Sequence, residues 1–326
     1  MRIVSLLPSA TEMLYLLGLD NMLHGVSYEC DYPVEARSKA IVVKPRINTE
    51  GKTQGEIDSE VSSFMREGKQ LYMVDMEAIR SIKPDIVITQ DLCDVCAISM
   101  KDVVKATEDL SKECEVISMQ PKSIGEMLDD IIRIGKACRV ERKAEEEVAK
   151  LRGRIEAVKR RAKEAGKIPR VFCAEWYDPI YASGHWIPEM VRIAGGIDSL
   201  GCEGGYSRVI EWKKIVEYSP EVMVMMPCGF DVGRAIADMW MITRNEGWNG
   251  LDAVRDGRVY AANGSWYYSR HGPRLIDGLE YLAKMIHPEV FGSELPEEAA
   301  VRITDGRIRG ANLFAMMPYE KQQLLE

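Results

Sequence analysis

Four of the eight cysteines in this 326-residue chain stand where metal ligands would stand. Cys93 and Cys96 form a C-x-x-C pair in Asp91-Leu92-Cys93-Asp94-Val95-Cys96, the spacing used by zinc sites, iron–sulfur ligands and dithiol redox pairs. Cys30 follows an expected second strand, and Cys228, in Pro227-Cys228-Gly229-Phe230, follows an expected strand of the second half. Thiolates suit zinc and iron–sulfur clusters because both are soft or borderline acceptors. Four of them converging would complete the shell of a zinc ion or a [4Fe–4S] cluster. Between these two the cluster fits better, because structural zinc would lock two lobes that should hinge. Cys114, Cys138 and Cys173 fall inside apolar patterns and read as small buried hydrophobes. Cys202, in Gly201-Cys202-Glu203-Gly204-Gly205, is a reserve ligand.

Aromatic residues gather at expected strand ends of the second half: Trp176 and Tyr177, Gly184-His185-Trp186, then Trp266-Tyr267-Tyr268. Flat, polarisable rings suit a large apolar macrocycle, with a few polar groups fixing its orientation. His185 can ligate a metal or hydrogen-bond a ligand, or serve as a loop histidine bonded to backbone. His271 leads into the last helix, as a structural residue or at the rim of a site. No G-x-G-x-x-G follows a strand, and there is no Walker sequence, H-E-x-x-H or G-x-S-x-G. Catalysis would therefore have to rest on the thiols or a cluster, and a binding protein is the better expectation than an enzyme.

The elements that must position these residues alternate between strand and helix. Ile3 to Leu7 reads as a buried strand, and Ser9-Ala10-Thr11-Glu12 as a capping box before a helix that Gly18 stops. Strands at His24–Ser27 and Asp85–Thr89 follow. The second half repeats the plan: Ile82-Lys83-Pro84-Asp85-Ile86 is matched by Tyr218-Ser219-Pro220-Glu221-Val222, and Arg170–Trp176 mirrors the opening strand. Pro188-Glu189 enters a helix that ends at Gly195-Gly196. This order predicts an α/β chain of two Rossmann-like lobes with parallel-type sheets. The expected parts are an N-terminal lobe over 1–122, a connecting helical segment over 123–167 broken near Cys138 to Val140, and a C-terminal lobe over 168–291. The tail, 292–326, is an appendage with a hairpin about Asp305-Gly306.

Composition narrows the function classes. The net charge of −8 gives no electrostatic support to a nucleic-acid-coating role. From Arg139 to Arg170 twelve basic residues face six acidic ones, but no aromatics interleave for base stacking, so the stretch reads as a solvated connecting helix. No apolar run is long enough to insert in a membrane. The opening Met1-Arg2-Ile3 runs straight into a strand without a secretory pattern or lipobox cysteine, so the expected location is the cytoplasm.

The opening Arg2-Ile3-Val4-Ser5-Leu6-Leu7-Pro8-Ser9-Ala10-Thr11-Glu12, then Gly25-Val26-Ser27 and Cys30-Asp31-Tyr32-Pro33, with two lobes joined by a long helix, resemble one branch of a known family. This is the cobalamin-binding (BtuF-like) branch of the helical-backbone, class III, TroA-like substrate-binding proteins of ABC transporters. The resemblance covers about Met1 to Phe291. It implies a small-molecule or metallocofactor ligand (vitamin B12, haem, a siderophore or a metal) held between the lobes. It also implies one glutamate per lobe for docking on an ABC permease, with Glu12 and Glu189 in those positions; a permease partner requires that the chain be exported. Glu12 is equally explained as a helix cap. Three readings follow. The first is a cytoplasmic binding protein holding cobalamin or a related corrinoid, with Trp176, Tyr177, His185, Trp186, Trp266 and Tyr267 at the ligand. The second is an iron–sulfur or zinc metalloprotein built on Cys30, Cys93, Cys96 and Cys228, with redox or sulfur-transfer activity. The third is an interaction scaffold that has lost its ligand.

Overall fold

The computed structural model describes residues 1–90, 114–304 and 307–308. These form two compact units: Met1–Arg152 with His271–Pro273, and Gly153–Arg270 with Arg274 onward. The first unit carries a six-stranded sheet in the order β4-β3-β2-β1-β5-β6. Its strands are β1 (Ile3–Ser5), β2 (Leu23–Ser27), β3 (Ala40–Pro45), β4 (Tyr72–Val74), β5 (Ile86–Gln90) and β6 (Glu115–Met119). All neighbours run parallel except β3 and β4. Val4, Leu6, Val42, Val43, Ile79 and Val87 are buried together in one cluster.

The second unit carries a seven-stranded sheet in the order β13-β12-β11-β10-β7-β8-β9. Its centre is parallel: β7 (Val171–Tyr177), β10 (Val222–Met225) and β11 (Val259–Ala262). Its margins are antiparallel, with β8 (Ile180–Ala182) and β9 (Arg208–Val209) on one side and β12 (Ala300–Thr304) and β13 (Arg307–Ile308) on the other. The expected hairpin is present, since Ile303 pairs with Ile308 and Thr304 with Arg307. It lies at the edge of the sheet, where β12 pairs with β11 along its length.

The duplicated segment has the same local construction in both units. The helix Met76–Ile82 ends on Lys83 at φ 51, and the helix Trp212–Tyr218 ends on Ser219 at φ 46. A proline follows, since it cannot continue a helix. Then comes an acid: Asp85 Oδ2 accepts from the Arg2 N–H at 2.6 Å, and Glu221 Oε2 from the Arg170 N–H at 2.9 Å. Asp85 N in turn donates to Arg2 O, and Glu221 N to Arg170 O, both at 2.8 Å. Each corner thereby starts two parallel strands in register.

The expected break in the connecting segment lies between the helices Ile124–Ala137 and Glu141–Ala162, where Arg139 takes φ 61. The expected capping box at Ser9 does not form. Pro8, with φ already fixed and no N–H to lose in a first turn, starts the helix Pro8–Leu16, so Ser9 and Glu12 lie inside it. Its N-cap, Leu7, makes no side-chain bond. Among the described residues, no helix is long and apolar enough to cross a membrane.

Candidate functional site

In open α/β sheets ligands bind beyond the carboxyl ends of the strands. In the second unit those ends belong to β7, β10 and β11. Trp176 lies at the end of β7, Cys228 and Phe230 in the loop after β10, and Trp266 in the short helix Gly264–Tyr267 after β11. The rings of Trp176 and Phe230 are 5.3 Å apart and tilted by 51°. The guanidinium of Arg234 lies 4.5 Å from the centre of the Phe230 ring. Ser265 N donates to Phe230 O at 3.0 Å, and Gly229 N to Ser269 Oγ at 3.3 Å, so the two loops are tied together. Gly264 permits the approach: a Cβ there would sit 2.2 Å from Pro227 O. Asn263 caps the helix by accepting from Trp266 N at 2.9 Å, and the Arg274 guanidinium lies 5.3 Å from the Trp266 ring centre. Trp176 and Trp266 keep partial exposure. The two partly exposed indoles and the Arg234 guanidinium make a surface for stacking on a flat ligand and bonding to its polar edges, while Phe230 and Arg274, 9% and 7% exposed, back the indoles from within.

Beside this rim, Glu175 anchors the loop that carries His185. One carboxylate oxygen accepts from Gly184 N at 2.9 Å and the other from the Ser207 hydroxyl. A Cβ on Gly184 would lie 2.3 Å from Ser207 N, so these two backbones meet directly. His185, at φ 51, donates its N–H to Gly205 O at 2.6 Å, and its carbonyl accepts from Gly204 N at 2.8 Å. Its ring lies 5.4 Å from those of both Trp186 and Tyr206. Burial pushes the Glu175 pKa up to about 7, against the two donors, which lower it. Asp198 fastens the adjoining glycine loop through Ser183 Oγ at 2.7 Å and Gly201 N at 3.0 Å, and burial raises its pKa to about 6. Sequence reasoning passed over Glu175, Asp198 and Arg234. Acids at strand and loop ends were the available signal, and only the fold distinguishes an anchored acid from a solvated one.

The remaining expected residues divide. Tyr177 is 2% exposed and sits in the core beneath the sheet, its hydroxyl donating to Ala235 O at 3.1 Å. Trp186 is 3% exposed, with Nε1 donating to Tyr268 O at 2.8 Å. Both side chains are thus enclosed by protein and brace the rim from within. Tyr267 is likewise buried, edge-on to Tyr281 at 5.1 Å. His271 is buried as well. In the first unit Glu12 is 5% exposed, turned toward Gly272, whereas Glu189 keeps partial exposure in the first turn of the helix Ile187–Ile193.

Cys30 is buried and its sulfur accepts from Thr11 Oγ1 at 3.1 Å, while Cys228 is exposed. Cys93 and Cys96 lie outside the described residues. Among the described residues no group of three or more His, Cys, Asp or Glu side chains could hold a metal ion, so the four-cysteine cluster or zinc site gains no support here. Cys138 and Cys173 are buried, as expected, and burial pushes both thiols well up, Cys138 to about 11.

Comparison with known proteins adds what geometry alone does not. A family model described as periplasmic binding protein matches residues 3–265. An uncharacterized ABC transporter substrate-binding lipoprotein, YvrC, of Bacillus subtilis is 27% identical over 295 residues, spanning 89% of this chain and 81% of the relative. The vitamin B12-binding protein of Vibrio cholerae is 25% identical over 285 residues, 86% of each chain. Among solved structures, a possible iron-binding, periplasmic solute-binding protein of Staphylococcus epidermidis matches with a TM-score of 0.67 at 22% identity, covering 88% of this chain and 98% of that one. That last likeness is one of fold.

Proposed function

The chain belongs to the periplasmic binding protein family, and from that premise we propose that it is a binding protein for cobalamin or a related corrinoid. The observation that carries this reading is the pair of partly exposed indoles, Trp176 and Trp266, at the carboxyl ends of β7 and β11, with Phe230 and Arg274 packed behind them and Arg234 on the Phe230 ring. A corrin offers broad apolar faces, which indoles can stack on, and polar side arms, which guanidiniums and loop N–H groups can bond. The vitamin B12-binding relative supports the corrinoid over other flat ligands. On this reading His185, held by the Glu175 loop, bonds the metal or a ligand side arm.

Titration of the full chain with cyanocobalamin, followed by calorimetry, tests this. Saturable binding of one ligand per chain is expected, with Trp176→Ala and Trp266→Ala each weakening it by about tenfold, the scale of a lost aromatic contact. No saturable binding of cyanocobalamin sinks the corrinoid reading. Binding of haemin alone would keep the rim and change its ligand.

We also assign the chain to the cytoplasm, where thiols such as Cys138, Cys173 and Cys202 stay reduced. There it would store or hand on its ligand rather than capture it outside the cell. Fractionation of cells producing the native protein decides the matter. Recovery with the envelope would instead make it a receptor for an ABC permease, with the partly exposed Glu189 as a docking acid.

A further inference from the structure

We propose that the first unit contains a second, separate site, which takes the ammonium head of a small organic amine. It lies where the end of β6 meets the helix Ile124–Ala137, in a cavity of about 310 Å³ lined by Ser118, Glu126, Asp129, Asp130 and Arg133 among others. Arg133 brings the two central residues together: Nη1 donates to Asp130 Oδ1 at 2.6 Å and Nη2 to Ser118 O at 3.2 Å. That leaves Asp130 Oδ2 and Ser118 Oγ, both buried and neither with a hydrogen-bond partner among the described residues. Asp130 is only 4% exposed. A buried carboxylate oxygen with no donor is costly and calls for one.

The chemistry of the lining selects the donor. Asp130, Asp129 and Glu126 outnumber Arg133, so the site favours a cation. Glu126 Oε2 already accepts from Lys122 N at 2.7 Å, and Asp129 faces Arg152 at 3.8 Å, so both act as peripheral charges while Asp130 makes the direct bond. A bare metal ion does not fit, since no three of the described His, Cys, Asp or Glu side chains converge to hold one. The volume also exceeds an ion and reaches the lower range of small-molecule sites. An ammonium carries three donors, which suits an acceptor-only carboxylate oxygen and a hydroxyl whose oxygen lone pairs can also accept. Burial raises the Asp130 pKa to about 6, Arg133 opposing it and Asp129 and Glu126 adding to it, so the carboxylate is charged above pH 7 and protonated below pH 5.

The test is calorimetric titration of the full chain with 1,4-diaminobutane at pH 7.5. Saturable binding is expected, reduced tenfold or more in Asp130→Asn and by a smaller factor in Ser118→Ala. 1,4-Bis(trimethylammonio)butane, with the same double charge and no N–H, should not bind. Binding should also weaken about tenfold from pH 7.5 to pH 5 in the wild-type chain, which needs no variant to fold. Trp266→Ala should leave it unchanged, separating this site from the corrinoid rim. The proposal is overturned if the wild-type chain gives no saturable binding, as for a cavity that holds water alone, or if Asp130→Asn binds the amine as well as wild type.

Discussion

At the scale of single residues, Glu175 and Trp186 do different work from what their types suggest. Glu175 has a folded pKa of about 7 against an ordinary 4.5, because burial outweighs the Gly184 and Ser207 donors. A carboxyl whose folded pKa is raised binds its proton more tightly folded than unfolded. Its contribution to stability is therefore fullest below pH 4.5 and is lost as the pH rises to about 7. The span corresponds to on the order of 3 kcal/mol. Chemical denaturation of wild type and Glu175→Gln from pH 4.5 to 7.5 should show wild type losing that amount relative to the variant. A constant difference across the window would refute the assignment. Trp186→Ala should act through stability, costing about 3–5 kcal/mol as a buried indole is removed. Trp186→Phe, measured well below its melting temperature, should leave ligand affinity within about twofold of wild type. A tenfold loss of affinity there would put Trp186 at the ligand after all.

At the scale of elements, the duplicated corner was readable because its physics is local. A helix end, a proline and an acid each have a fixed consequence within four residues, so Lys83-Pro84-Asp85 and Ser219-Pro220-Glu221 announced two like units before any packing was known. The two copies differ in one respect that can be measured. Lys83 and Ser219 both occupy the left-handed region that favours glycine. Ser219 Oγ, however, donates to Asp252 Oδ2 at 2.9 Å, which offsets part of its strain. Lys83→Gly should therefore stabilise the chain by about 1 kcal/mol, while Ser219→Gly should change it by less than about 0.5 kcal/mol. Equal stabilisation by both would mean that the Asp252 bond contributes nothing. The opening helix was misread for the complementary reason. Ser9 and Glu12 satisfy a capping pattern, but Pro8 before them is a stronger start signal and moves the helix boundary by two residues.

The same contrast runs through the aromatics. Trp176 and Tyr177 are consecutive on β7, and neighbours on a strand face opposite sides. The period of two thus already forbade both from meeting one ligand, a signal that residue type alone hides. Trp186 and Tyr267 give no such periodic clue, because each follows a loop whose path only the tertiary structure shows. Phe230 was visible as part of Pro227-Cys228-Gly229-Phe230, yet its pairing with Trp176 depends on β10 lying beside β7.

At the scale of the whole molecule, binding and stability are one quantity. A ligand that binds only the folded chain raises its unfolding free energy by about 2.7 kcal/mol at a hundredfold excess over Kd, and by about 1.4 kcal/mol for each further tenfold. If the rim of the second unit holds a corrinoid, cyanocobalamin should raise the melting temperature by a few degrees, and the rise should continue with the logarithm of ligand concentration. Trp176→Ala and Trp266→Ala should need about tenfold more ligand for the same shift. Asp130→Asn should follow the wild-type curve, since its carboxylate lies in the first unit's own cavity. A melting temperature that stays flat up to millimolar cyanocobalamin would remove the corrinoid from this protein. A shift that both tryptophan variants retain in full would move the ligand away from the ends of β7 and β11.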